Sequence, residues 1–140
     1  MSWDVMIYNT HGVKPPSISD FQESDTKPLG PAAEVRNKLS SLLPGIDWSE
    51  PTWGVYDGDG FSIEFNVGKD DPITSMMLHV RGGGDAISAI AAFVDPMGCV
   101  AIDCSSCDFL ELDHISQPGW ENFQAYRDKV IQQYREKNEG

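Results

Sequence analysis

The stretch "PTWGVYDGDGFSIEFNVGKDDPITSMMLHVRG", residues 51–82, decides the fold. Phe61, Ile63, Phe65 and Val67 alternate with Ser62, Glu64 and Asn66, the two-residue period of a strand with one buried face. Asp57-Gly-Asp-Gly60 ahead of it is turn chemistry, and Gly68 to Pro72 behind it forms a second turn. Residues 53–56 and 74–80 therefore read as the neighbouring strands of a meander. The latter alternates least cleanly, which suits a central strand covered on both faces.

Downstream, "GGGDAISAIAAFVDPMG" (82–98) is a glycine connection leading into a helix. Asp85 stands as its N-cap, Ile87, Ile90, Ala91 and Val94 recur at helical spacing, and Asp95-Pro96 ends it. "CVAID" (99–103) follows as an apolar strand. The unit from 74 to 103 is long enough for a right-handed parallel crossover. Upstream, "SWDVMIYN" (2–9) reads as a first strand, with Val5 and Ile7 on one face. Residues 10–30 form a long loop rich in Pro, Ser, Asp and Gly, a length that marks it as functional or mobile. Residues 31–43 read as a helix opened by Pro31 and closed by Pro44-Gly45. A last helix is expected over 120–136, its apolar stripe of Trp120, Phe123, Val130 and Tyr134 facing the sheet. The expectation is one α+β domain over residues 1–140. It has a mixed, mostly antiparallel sheet of about five strands with helices on one face, in the order β-α-β-β-β-α-β-α.

Charge narrows the partners. The chain of 140 residues carries a net charge of −12. Residues 1–43 and 122–140 are close to balanced, whereas 44–126 hold 14 acids against only Lys69 and Arg81. Such a surface repels nucleic acid and anionic membranes, whose affinity for proteins rests on Lys and Arg. It suits a basic protein. Oligomeric state is not legible. No apolar run approaches the ~18 residues of a membrane span, no secretory leader opens the chain, and three cysteines do not make a disulfide scaffold. A cytoplasmic protein is the expectation.

Candidate chemistry is sparse. Cys104-Ser-Ser-Cys107 lacks the partner ligands of a zinc site and lies after a strand, away from the helix N-terminus that lowers a redox thiol's pKa. It reads as a two-residue turn at Ser105-Ser106 with reduced thiols facing each other across a hairpin. The connection Arg81 to Ile87 matches no phosphate-loop pattern, and Asp85 puts a carboxylate where a phosphate would go. Residues 57–68 place Asp57 and Asp59 like a calcium loop, but Gly68 replaces the bidentate acid. No metal, cofactor or catalytic residue is assigned.

"EPTWG" (50–54), "GFSIEFNVGKDDP" (60–72), "MLHVRGGGD" (77–85) and "AIDCSSCDFLELD" (101–113) resemble blocks of small uncharacterised bacterial proteins. The format, a small acidic domain without catalytic signature, is similar to that of immunity proteins of toxin systems. No residue role carries over. The reading is a non-enzymatic acidic domain that binds a basic protein such as a toxin or nuclease. Asp57, Asp59, Asp70, Asp71, Asp108, Glu111 and Asp113 would contribute charge, with Trp53 as anchor. The alternative is a small-ligand or enzymatic site around His79, Arg81 and Gly83 in the Gly82–Gly84 connection.

Overall fold

The computed structural model describes residues 2–15 and 17–110, together with Lys129 and Gln132. Of the helix expected at 120–136 only Lys129 and Gln132 are described, both helical, and its apolar stripe lies outside the described residues, as do Glu111 and Asp113. The elements run β1 (Trp3–Asn9), α1 (Ala32–Leu42), β2 (Asp47–Glu50), β3 (Trp53–Asp57), β4 (Phe61–Asn66), β5 (Ser75–Gly82), α2 (Ala86–Val94), β6 (Cys99–Asp103) and β7 (Asp108–Phe109). Together they make an α+β fold with one seven-stranded sheet, ordered β2-β3-β4-β5-β1-β6-β7.

The meander of β3, β4 and β5 stands as read, with Ile63 paired between Tyr56 and Val80. Two expectations change. Among the described residues the sheet has seven strands instead of about five, and every pairing is antiparallel. The β5-α2-β6 unit does cross over, but β1 inserts between its two strands. Val5 faces Leu78 on one side and Asp103 on the other. Both edges of β1 are thereby satisfied, which leaves no parallel neighbours.

β2 was invisible because "DWSE" is short and polar. Its Trp48 explains it. The ring crosses over Gly54, where a Cβ would approach it to 2.7 Å, and reaches Phe65 at a centroid distance of 6.3 Å. Its Nε1 donates to Ser40 Oγ at 3.0 Å, tying the edge strand to α1. A glycine opposite an indole is a tertiary fit, and alternation cannot report it.

Both helices cover one face. α1 contributes Val35 and Leu39, and α2 contributes Ile87, Ile90, Phe93 and Val94. They meet Val5, Ile7, Ile63, Phe65, Met76, Leu78 and Val80 from the strands in one apolar core. Pro31 caps α1 from outside the helix instead of opening it, and the Asp71 carboxylate accepts from Ala32 N at 3.0 Å. Asp85 caps α2 as read, accepting from Ser88 N at 3.1 Å.

The opposite face is divided in two. Over β1, β6 and β7 it is apolar: Val100, Ile102 and Phe109 are buried beneath Met6, Tyr8, Ile18 and Phe21. The last two come from the long loop, which forms short 3-10 turns at Ile18–Asp20 and Glu23–Asp25 and pairs Lys27 with Asn9. Phe21 packs on Tyr8 at 5.3 Å and edge-on against Phe109 at 5.9 Å. This part of the loop is thus a cover for the sheet's second face, which accounts for its length. Over β2–β5 the same face is polar and half-buried. β5 illustrates this: Met76, Leu78 and Val80 are buried, while Ser75, Met77, His79 and Arg81 are only partly covered. The strand is central, but it is not covered equally on both sides.

Candidate functional site

Strand pairing builds the polar half-face in transverse rows. Asp47 faces Val55, Val55 faces Glu64, Glu64 faces His79, and His79 faces Asp4. Cys104 extends the row, since its N–H donates to the Asp4 carbonyl at 3.1 Å. A second row runs Glu50, Trp53, Asn66, Met77 and Met6, and a third holds Asp57, Ser62 and Arg81. Cross-strand neighbours of this kind lie ~4.5–5.5 Å apart between Cβ atoms, so charges in one row interact directly.

His79 is the hub. Its Nδ1 lies 2.8 Å from Asp4 Oδ1, and Ser2 Oγ donates to that same oxygen at 2.6 Å. The Trp53 indole stacks on the imidazole at 5.4 Å with the planes 16° apart, reaching diagonally across β4. Beside them Arg81 Nη1 donates to Glu64 Oε1. That ion pair is partly exposed, and pairs of this kind contribute at most about 1 kcal/mol. Its effect is local: it occupies the only Lys or Arg carried by β1–β5. Asp4, Asp47, Glu50 and Asp57 remain as acids on the same half-face. Asp47 is held below the ordinary carboxylate range by hydrogen bonds from the Ser49 hydroxyl and amide.

The expected site residues scatter. Trp53, His79 and Arg81 come together, uniting the anchor of one reading with the ligand group of the other. Asp57 joins them at the rim, and Asp59 projects from the β3–β4 turn. Asp70 and Asp71 lie at the opposite end of the sheet, where Asp71 is engaged in capping α1. Asp108 pairs with Asp103 at the β6–β7 end and accepts from Phe109 N. Sequence reading missed Asp4, Asp47, Glu50 and Glu64. For Glu64 the signal was present, because it is one of the polar partners in the alternating 61–67 run.

The glycine connection has a packing explanation. A Cβ on Gly82 would fall on the Gly60 carbonyl oxygen, and one on Gly84 would fall on that of Asp59. Gly82 also has φ of 97° and Gly83 N donates to Gly60 O at 2.7 Å. The glycines let two turns touch along their backbones. A groove of about 250 Å³ lies elsewhere, between α1 and the end of α2, lined by Leu29, Glu34, Val35, Lys38, Pro96 and Met97.

The Cys104–Cys107 segment differs from its expected form. Asp103 pairs with Asp108, so Cys104 to Cys107 is a four-residue loop and not a two-residue turn. Both thiols are free and exposed, and Cys107 takes a left-handed φ of 55°. Burial, then the carboxylates of Asp4 and Asp103, push the Cys104 thiol up. Cys99 is buried and pushed up to about 12. Among the described residues no group of three or more His, Cys, Asp or Glu side chains is arranged to hold a metal ion. No helix among them is long and apolar enough to cross a membrane.

The architecture is therefore that of an α+β fold with an open antiparallel sheet, helices on one side and an acidic, tryptophan-centred half-face on the other. Compared with known proteins, the chain matches no family model, no curated protein and no solved structure.

Proposed function

We propose that this chain is a non-enzymatic protein-binding domain, and that its acidic half-face receives a basic protein, as an immunity-type inhibitor receives a toxin or nuclease. One observation carries the reading. Asp4, Asp47, Glu50, Asp57 and Glu64 share a half-face with one guanidinium, Arg81, which is already paired. Trp53 stands among them, held by its stack on His79. A rigid aromatic anchor ringed by charge is the arrangement that interfaces favour, and an acidic field speeds encounter with a basic partner by ~10 to 10³-fold at low salt.

The test compares a triple and a double surface change. D47N, E50Q and D57N together lower the association rate of a captured basic partner at least ~10-fold at ~50 mM salt, with the difference shrinking at ~500 mM. D70N and D71N, at the far end of the sheet, leave that rate within about twofold, after correction for any loss of α1 capping. Equal effects from both ends would sink the reading.

A further inference from the structure

The four-residue loop between β6 and β7 presents the two thiols the half-face does not use. A turn of this kind holds residues i and i+3 within about 7 Å. Disulfides bridge Cα separations of about 4.4–6.8 Å. Cys107 Sγ already lies 3.7 Å from the carbonyl oxygen of Cys104, so its sulfur is turned back over the loop toward the other cysteine. The Asp103–Asp108 pair and the bond from Cys104 N to Asp4 O hold the loop ends. Both residues are exposed, whereas Cys99 is buried in the core.

We propose that Cys104 and Cys107 form a dithiol exchange site that takes up an intraloop disulfide from a positively charged disulfide substrate. The carboxylates of Asp4 and Asp103 act on Cys104, Asp108 follows Cys107 directly, and among the described residues Lys14, over the Phe109 ring at 5.3 Å, is a cation brought toward this hairpin. The acids outnumber it, so a cationic disulfide approaches more readily than an anionic one. In the first step the Cys107 thiolate attacks one sulfur of the substrate, whose S–S bond breaks and releases a thiolate that takes up the Cys107 proton. In the second the Cys104 thiolate attacks the Cys107 sulfur and expels the other half of the substrate, which takes up the Cys104 proton. The protein dithiol loses two electrons, and the substrate is reduced to two thiols. Cys104, whose thiol is pushed up by burial and the carboxylates of Asp4 and Asp103, is assigned the second, resolving step.

The experiment treats the reduced full chain with cystamine, which is cationic, and with glutathione disulfide, which is anionic, and follows intact mass. Wild type loses the mass of two hydrogens and adds nothing. C104S stops at a stable mixed disulfide on Cys107, while C107S reacts several-fold more slowly. At ~20 mM salt cystamine is the faster reagent, by roughly 10-fold, and the gap narrows at ~500 mM. A wild-type chain that stops at a mixed disulfide, or that links through Cys99, overturns the site. Equal rates for the two reagents overturn its charge preference.

Discussion

The indole of Trp53 on β3 lies parallel to the imidazole of His79 on β5, two strands away, and the imidazole is itself bound to Asp4 on β1. One stack and one hydrogen bond therefore span four adjacent strands, β3 to β1. The Trp53→Ala change removes the cap of this chain without touching the core. It should cost about 0.5–1.5 kcal/mol beyond lost burial, as aromatic contacts do, read from the urea midpoint. It should also weaken binding of a basic partner by more than tenfold, the scale of an interface anchor. Loss of stability with unchanged binding would confine Trp53 to a structural role.

The Asp4–His79 bond is separable from the stack by a double-mutant cycle. Asp4→Asn and His79→Gln each disturb one partner, and the pair together should show a coupling of up to about 1 kcal/mol, because both side chains are partly solvated. A coupling near zero would mean that the short contact does not contribute to folding.

The two turns that touch at Gly60 and Gly82 set a steric prediction. Gly82→Ala places a Cβ on a carbonyl oxygen at a left-handed φ, and it should destabilise by more than about 2 kcal/mol. Gly68→Ala is the control: its φ is 74°, but nothing lies within 4 Å of the added Cβ. It should cost only the backbone strain, roughly 1–2 kcal/mol. Denaturant titration of both variants decides whether backbone contact is what Gly82 provides.

Asp103 is buried, and its Oδ1 accepts from Trp3 Nε1 at 3.0 Å and from Ser105 N at 2.9 Å. Ser105 Oγ donates to the same oxygen at 2.7 Å, so Asp103→Leu removes the acceptor of three donors. Each buried group left unbonded costs about 1–3 kcal/mol, so the variant should lose several kcal/mol of stability or fail to accumulate folded. Asp103→Asn, which keeps an acceptor oxygen, should recover much of it.

The cap of α2 has a pH signature. The Ser88 hydroxyl and amide hold Asp85 below its ordinary value of 3.8. A lowered folded pKa means the unfolded chain binds the proton more tightly, so the cap's contribution is complete above the ordinary value. It is lost as pH falls through the folded one. Asp85→Ala should cost ~0.5–2 kcal/mol at neutral pH. The gap to wild type should close in acid, measured by urea unfolding at a series of pH values.

The local rules served where one residue's surroundings are set by its near neighbours. Alternation from Phe61 to Val67 located β4, and Asp85 announced the start of α2. They failed at β2, where strand identity depends on Trp48 finding the space above Gly54 and the ring of Phe65. They were incomplete at the crossover: β5 and β6 do run parallel, but nothing within 74–103 tells that β1 comes between. The loop at 10–30 read only as functional or mobile for the same reason: Phe21 has no partner until Tyr8 and Phe109 are folded beneath it.

Sequence alone determined the alternation of the meander, the cap of α2 and the acidity of residues 44–126, since each follows from residues a turn or a strand apart. The tertiary structure alone decided which acids stand together. Asp4 and Glu64, distant in the chain, become neighbours of His79 through hydrogen-bonded register, while Asp70 and Asp71 are carried to the other end. Period-two patterning specifies the face of a side chain, but only pairing between strands specifies its neighbour.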